Sequence, residues 1–234
     1  MGLRVAALYD VHGNLPALEA VLSEGDLEAA DVVVFGGDVV WGPWPSETLD
    51  RAEALGTRAL FLHGNCEALV SNGASEAHAW ARDRLRADQL ETISGWPLTL
   101  SLDVDGLGPV LFCHATPRSA DEILTPASSE AAWAAALAGT EERIVVCGHT
   151  HVQLDFAVGG VRVVNPGSVG APTGKAAAWW ALLGPGVELR ITGYDTDAAV
   201  EAARAQLPDV RPFARWLHET PSREARNAEL EGAG

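Results

Sequence analysis

Five short, strongly apolar runs limit what this chain can fold into more than any other feature. LRVAALY (3–9), DVVVF (31–35), RALFL (58–62), the PVLFC end of a longer stretch (109–113) and RIVVC (143–147) read as buried strands. Each stops at polar residues able to bind a metal ion: Asp10 and His12, Asp38, Asn65, His114, and His149 with His151. In open α/β sheets ligands bind where the carboxyl ends of strands converge, so a shared end would gather these side chains. A lone Asp-x-His is commonly a capping turn, and a lone histidine after a strand is commonly a satisfied core or surface group. Four of the seven histidines lie at such ends, a joint signal that neither bland reading explains.

The segments between the runs read as helices, hairpins and loops. Asn14 is placed to cap a helix with Pro16 in its first turn, an apolar face of Leu15, Leu18, Val21 and Leu22, and a stop at Gly25. WGPWP (41–45) is a loop by its prolines, and Ser46 starts a short helix carrying Leu49, Ala52 and Leu55, closed by Gly56. A longer helix is predicted over 76–94, with Trp80, Leu85, Leu90 and Ile93 toward the core. LTLSLDVDGLGPVLFC (98–113) reads as a hairpin turning at Asp105-Gly106. A helix over about 128–138 starts at Ser128 or Ser129, and Gly159-Gly160 joins two alternating strands that lead to Asn165-Pro166-Gly167-Ser168. Another hairpin turns at Gly184-Pro185-Gly186. From Asp197 the chain is polar and helical, with a frayed end expected after Pro221. With no repeat and no long linker, the expectation is one α/β domain over 1–234. Its motif-bearing core spans about 3–195 and a C-terminal helical segment about 196–234.

At 234 residues, 47% hydrophobic and 21% charged, the chain can bury one large core. A net charge of −16, with Lys175 the only lysine, argues against long nucleic acid as a partner, and solubility is sufficient reason for the acidity. No apolar stretch approaches the roughly 20 residues that span a bilayer. Met1-Gly2-Leu3-Arg4 runs into a strand without a cleavage region, and Ala6 stands where a myristoylation motif needs Ser or Thr. The expected setting is the cytoplasm, without a membrane partner. Cys66, Cys113 and Cys147 lack paired spacing and are expected as free thiols, the last two as small core residues.

Two carboxylates, four imidazoles and an amide suit borderline divalent ions: manganese, iron, cobalt, nickel or zinc. Magnesium and calcium favour all-oxygen sets, and structural zinc favours thiolates. Seven ligands are too many for one tetrahedral ion but fit two ions sharing a carboxylate. Two metals about 4 Å apart can clamp a phosphoryl group and generate hydroxide near neutral pH.

DVHGN (10–14), GGDVVWGP (36–43), GNCE (64–67), HATP (114–117) and GHTH (148–151) resemble, in order, the five signature blocks of calcineurin-like metallophosphoesterases. The likeness runs from residue 5 to about 170. DVHGNLPALEAVL, and the cysteine in GNC, look like the small bacterial and archaeal phosphodiesterase branch, not the Ser/Thr protein phosphatases. The resemblance implies a four-layer α/β/β/α sandwich of two mixed β-sheets flanked by helices. It implies one ion on Asp10, His12, Asp38 and His151, and a second on Asp38, Asn65, His114 and His149, so that Asp38 bridges. Manganese heads the candidate ions. It also implies a metal-bridging hydroxide attacking phosphorus in line, with metals and histidines stabilising the developing equatorial oxygens.

Catalytic roles then fall to Asp38, Asn65, Cys66 and His114. Asn14, with the amides at the following helix start, and Arg118 are the expected substrate contacts. Trp41, Trp44 and His78 are candidates to line a pocket and stack on a base. Cys66 departs from the phosphatase branches, which there carry a histidine that approaches the leaving-group oxygen and is oriented by the following acid, here Glu67. A thiol is a poorer proton donor than imidazolium, so monoesters with poor leaving groups are expected to be cleaved inefficiently. His63 is the nearby candidate to substitute. The expected substrate is a small phosphodiester of nucleotide or cyclic nucleotide type. A phosphomonoesterase, a dinucleoside polyphosphate hydrolase and a non-catalytic scaffold are the alternatives, and the presence of all seven ligands speaks against the scaffold.

Overall fold

The computed structural model describes residues 2–232. Strands β1 (Val5–Leu8), β2 (Val32–Phe35), β3 (Ala59–Phe61), β4 (Thr99–Val104) and β5 (Gly108–Cys113) come first. Strands β6 (Ile144–Val146), β7 (Leu154–Val158), β8 (Val161–Asn165), β9 (Ala178–Leu183) and β10 (Val187–Thr192) complete two five-stranded sheets. One sheet has the order β10-β9-β1-β2-β3, parallel from β1 to β3 and antiparallel at β9 and β10. The other has the order β4-β5-β6-β8-β7, parallel at β5-β6-β8 and antiparallel at both edges. The first helices are α1 (Leu15–Leu22), α2 (Gly25–Glu28), α3 (Pro45–Glu53), α4 (Asn65–Asn72) and α5 (Glu76–Arg82). Then follow α6 (Ala87–Ser94), α7 (Glu130–Ala136), α8 (Thr196–Ala203), α9 (Arg211–His218) and α10 (Arg223–Gly232).

Alternation along β1 sets the layering. Val5, Ala7 and Tyr9 pack between the sheets with Val110 and Phe112 of β5 and Val146 of β6. Ala6 and Leu8 turn the other way, onto a cluster with Leu18 and Val21 of α1 and Leu49 of α3. Beyond the second sheet, Leu111, Cys113 and Val145 pack with Trp133 of α7. The result is the expected sandwich of two mixed sheets flanked by helices. Central strands are dry on both faces, which is why they read as unbroken apolar runs. Each fully buried valine, leucine or phenylalanine contributes roughly 1.5–3 kcal/mol, and Leu8, Leu18, Val33 and Phe35 are all fully buried.

Several local expectations are corrected. The helix predicted over 76–94 is two helices, α5 and α6. The first closes at Asp83, and Arg86 opens the second: its guanidinium is tied to Asp50 of α3 at 2.8 Å, and its backbone N donates to Gln89 Oε1. Gly25 begins α2, while α1 is closed by Ser23. Asn65 opens α4, whose first turn is capped by Glu67 accepting from Gly64 N. The frayed end expected after Pro221 is corrected for residues 223–232, which form α10: it buries Leu230, and Arg226 Nε donates to Thr150 O. Upstream, α8 and α9 bury Val200, Phe213 and Leu217 against Trp44, which carries the C-terminal helices to the ligand-bearing end of the sheets. No helix among the described residues is long and apolar enough to cross a membrane.

Candidate metal centre and its cleft

The loops leaving β1, β2, β3, β5 and β6 carry all seven expected ligands, and backbone bonds stitch them together. Asp10 N donates to Gly37 O (3.1 Å), His12 N to Asp38 O (2.8 Å) and Gly13 N to Val39 O (2.8 Å). His149 N crosses from the second sheet to donate to Asp10 Oδ2 at 3.1 Å. Asn65 and Ser168 mark two further braces. Asn65 stands at the start of α4, and Ser168 Oγ donates to Asp10 O (2.8 Å) while accepting from Ala171 N (2.7 Å).

Asp10, His12, Asp38, His149 and His151 have φ of 53°, 48°, 55°, 65° and 62°. Among the described residues they are the only non-glycines in the left-handed region. Such backbone costs on the order of 1–3 kcal/mol per residue and persists only where the surroundings over-determine it. Here the stitched loops hold five of the seven candidate ligands in it.

Ring-nitrogen roles follow from the partners. His114 Nδ1 lies 2.8 Å from Gly36 O, and His151 Nδ1 lies 2.8 Å from Ala171 O. A carbonyl only accepts, so each Nδ1 donates and the neutral ring presents a lone pair at Nε2. His151 Nε2 then faces His12 Nε2 at 3.1 Å and Asp10 Oδ1 at 3.4 Å. His114 Nε2 faces Asn65 Oδ1 at 3.1 Å and Asp38 Oδ1 at 3.4 Å. Lone pairs thus crowd around one point, with metal-free His114 the ring held protonated against Asp38, and buried Asp10 Oδ1 has no hydrogen-bond partner among the described residues. A divalent cation is the partner such a set fits. Ligand atoms of Asp10, His12 and His151 lie within 4.8 Å of one another, as do those of Asp38, His114 and His149. A third such group, His12, Asp38 and Cys66, was not anticipated from the sequence.

Charge follows the same geometry. Burial pulls His114 down, yet Asp38 and then Asp10 outweigh it and push the ring up to about 10. Burial, reinforced by His151, pulls His12 down to about 4. Burial works to raise both carboxyls, and the histidines overcome it: His151 lowers Asp10, and His114 holds Asp38 well below the usual range.

Glu67 lies fully buried beneath this set. Its carboxylate accepts from Val39 N (2.7 Å), Gly64 N (2.8 Å) and Asp38 N (2.9 Å), while burial and then Asp38 push it up to about 7. Its oxygens thus hold the backbone of two loops. Cys66 is 4% exposed, and its N donates to Asp38 Oδ1 at 2.8 Å. Burial and then Asp38 push the thiol well above its ordinary pKa, so it stays neutral.

The two expected substrate contacts lie elsewhere. Buried Asn14 caps α1 by accepting from Ala17 N (3.2 Å), and its amide donates to Gly170 O and Tyr194 Oη, both at 3.0 Å. Both of its donor hydrogens are engaged, so it braces the Asp10 loop and is not free for a phosphate. Arg118 is ion-paired with Glu122, donates to Ala135 O (2.9 Å) and does not line the cleft. Neither His63 nor Trp44 lines it, whereas Trp41 does, with His78 stacked on Trp41 at 5.2 Å.

The cleft over the ligands encloses about 820 Å³, within the ordinary range of ligand pockets. Its floor includes His12, Asp38, Asn65, Cys66, His149 and His151. The C-terminal helices add Arg211, Arg215 and Trp216 from α9 and Arg226 from α10, none of which the sequence reading singled out. The only signal available was an aromatic and basic cluster, RPFARW (211–216), in an otherwise polar segment.

Two mixed sheets packed face to face, with this donor set at one end, define a metallophosphoesterase-type fold. Residues 3–184 match the calcineurin-like phosphoesterase superfamily domain, and the chain belongs to that metal-dependent family. It is similar to the crystal structure of a metallophosphoesterase from Sphaerobacter thermophilus (26% identity, TM-score 0.73), covering 92% of this chain and 98% of that one. A hypothetical protein from Pyrococcus horikoshii OT3 shares the fold at 19% identity and a TM-score of 0.76, covering 90% and 97%. A protein described as a novel archaeal phosphodiesterase does so at 19% identity and a TM-score of 0.50, covering 80% and 99%. No curated protein matches.

Proposed function

We propose that the chain hydrolyses small phosphodiesters of nucleotide or cyclic nucleotide type, with two divalent ions, manganese foremost. Asp10, His12, Asp38 and His151 would hold one ion, and Asp38, Asn65, His114 and His149 the other. The observation that carries this reading is the convergence of buried acceptors, Asp10 Oδ1 among them, on one another. When bound, such ions activate water as a nucleophile and stabilise charge developing on phosphoryl oxygens. The chain's own residues do the rest. Glu67 fixes the Asp38 loop, and the Gly36 and Ala171 carbonyls fix the tautomers of His114 and His151. Cys66, a thiol where an imidazolium would donate a proton, offers a leaving group little help, which favours diesters with good leaving groups. The 820 Å³ cleft is also roomy enough for a second reading, hydrolysis of dinucleoside polyphosphates.

The test is metal analysis followed by kcat/KM over mono-, di-, cyclic and dinucleoside phosphoesters after metal reconstitution. About two ions per chain are expected, with cleavage lost to chelator and Asp38→Asn the most damaging ligand variant. Full activity in folded protein free of transition metal would sink the two-metal reading.

A further inference from the structure

We propose that α9 and α10 are the substrate-recognition element, with Arg226 clamping a phosphoryl oxygen and Trp216, beside Trp41, giving a platform for an aromatic group. This rests on the phosphoesterase reading and narrows its substrate class to phosphoesters bearing a planar ring, such as a nucleobase. The family match ends at residue 184, so the wall these helices add lies outside the matched region.

The chain carries a net charge of −16, so an anionic substrate gains from guanidinium groups on the cleft wall in addition to the charge that bound ions would supply. The arginines that line the cleft all come from this wall, each ion-paired with an acid that also lines it: Arg211 with Asp209, Arg215 with Glu219 and Arg226 with Glu229. Side chains of Arg211 and Arg215 are 88% and 77% exposed and therefore screened, whereas that of Arg226 is 23% exposed. Arg226 Nε donates to the carbonyl of Thr150, the residue between His149 and His151, at 3.3 Å. Its Nη1 donates to Glu229 at 3.0 Å, and its Nη2 makes no hydrogen bond among the described residues. Nε and Nη1 are thus tied beside the candidate ligands, leaving Nη2 between them for a phosphoryl oxygen.

Trp216 is half-buried, and its ring lies 5.3 Å from that of His12, tilted 45°, and meets Trp41 edge-on at 5.4 Å. Packing on one side fixes the indole, so little side-chain freedom is lost when a ring settles on its cleft side.

Calorimetric titration of manganese-loaded protein with phenylphosphonate and methylphosphonate separates the two roles, because these probes share the phosphoryl group and differ in the ring. Wild type should bind both. Trp216→Leu should weaken phenylphosphonate about tenfold more than methylphosphonate, and Trp216→Phe should recover most of the loss. Arg226→Gln should weaken both probes by about tenfold or more, and Arg226→Lys by less. Metal content and thermal midpoint are measured on every variant. If Arg226→Gln releases metal, or weakens neither probe, the clamp is overturned and the residue only braces the Thr150 loop. If Trp216→Leu affects both probes alike, or neither, the platform is overturned. If metal-holding wild type binds neither probe and cleaves no phosphoester, the phosphoesterase reading itself fails and takes this inference with it.

Discussion

Glu67 offers two carboxylate oxygens to three backbone N–H groups, from Gly64, Asp38 and Val39. Replacing it with glutamine turns an NH2 group toward at least one of those donors. An unsatisfied buried donor costs about 1–3 kcal/mol, so Glu67→Gln should lower the urea midpoint and, through the displaced Asp38 loop, metal occupancy. Denaturation curves paired with metal analysis check this, and an unchanged pair would remove Glu67 from its role as strut. The same bonds bear on Cys66. General acid catalysis typically contributes 10²–10⁴-fold, but a ring placed at position 66 would find its neighbouring carboxylate already engaged. Cys66→His should therefore raise alkyl monoester cleavage relative to diester cleavage by less than about tenfold. A larger gain, at equal metal loading, would mean that Glu67 can leave the backbone to orient the ring.

At the scale of elements, the loop between β2 and α3 turns through Gly37, with φ +95°. A Cβ there would sit 2.6 Å from His114 Nδ1 and 2.8 Å from the Gly64 backbone. Gly37→Ala should cost about 1–3 kcal/mol and weaken metal binding by shifting His114 off the Gly36 carbonyl. Gly25→Ala, with open space around it, is the control and should leave stability within about 1 kcal/mol. Equal effects at the two glycines would refute the close-approach argument. The sequence carried the strands well, since Val33, Val34 and Phe35 of β2 and Ile144, Val145 and Val146 of β6 are buried on both faces, which favours unbroken apolar runs. The ligand types were legible for a related reason, because each follows such a run. What escaped is set by tertiary contacts. The break between α5 and α6 depends on Asp50 of another helix holding Arg86. The position of Arg226 depends on α9 packing on Trp44 and on a carbonyl 76 residues away, which no local pattern encodes.

For the molecule as a whole, metal removal and pH are one experiment. In metal-free protein Asp38 and then Asp10, working against burial, push His114 up from an unfolded value of 6.5 to about 10, so it holds a proton at neutral pH. A ligating imidazole must give up the proton on its coordinating nitrogen, so loading near pH 8 should release about one proton per chain from His114. His12, at about 4, is already neutral and should release none. Apparent affinity should then rise with pH until about 10, and calorimetry in buffers of different ionisation enthalpy counts the proton. A count of zero would falsify the assignment of charge to His114. Loaded protein should also unfold later, by about 2.7 kcal/mol with free ion at 100 times its Kd, and chelator should reverse the gain. The left-handed backbone at Asp10, His12, Asp38, His149 and His151 acts on a longer timescale, as a sieve on inheritance. Asn, Asp and His tolerate that geometry far better than β-branched or bulky side chains, and they are also the residues that bind such ions. A lineage can trade one short ligand for another at these five positions and retune its metal. It cannot easily drift, by single substitutions, to a well-folded descendant whose centre has been erased.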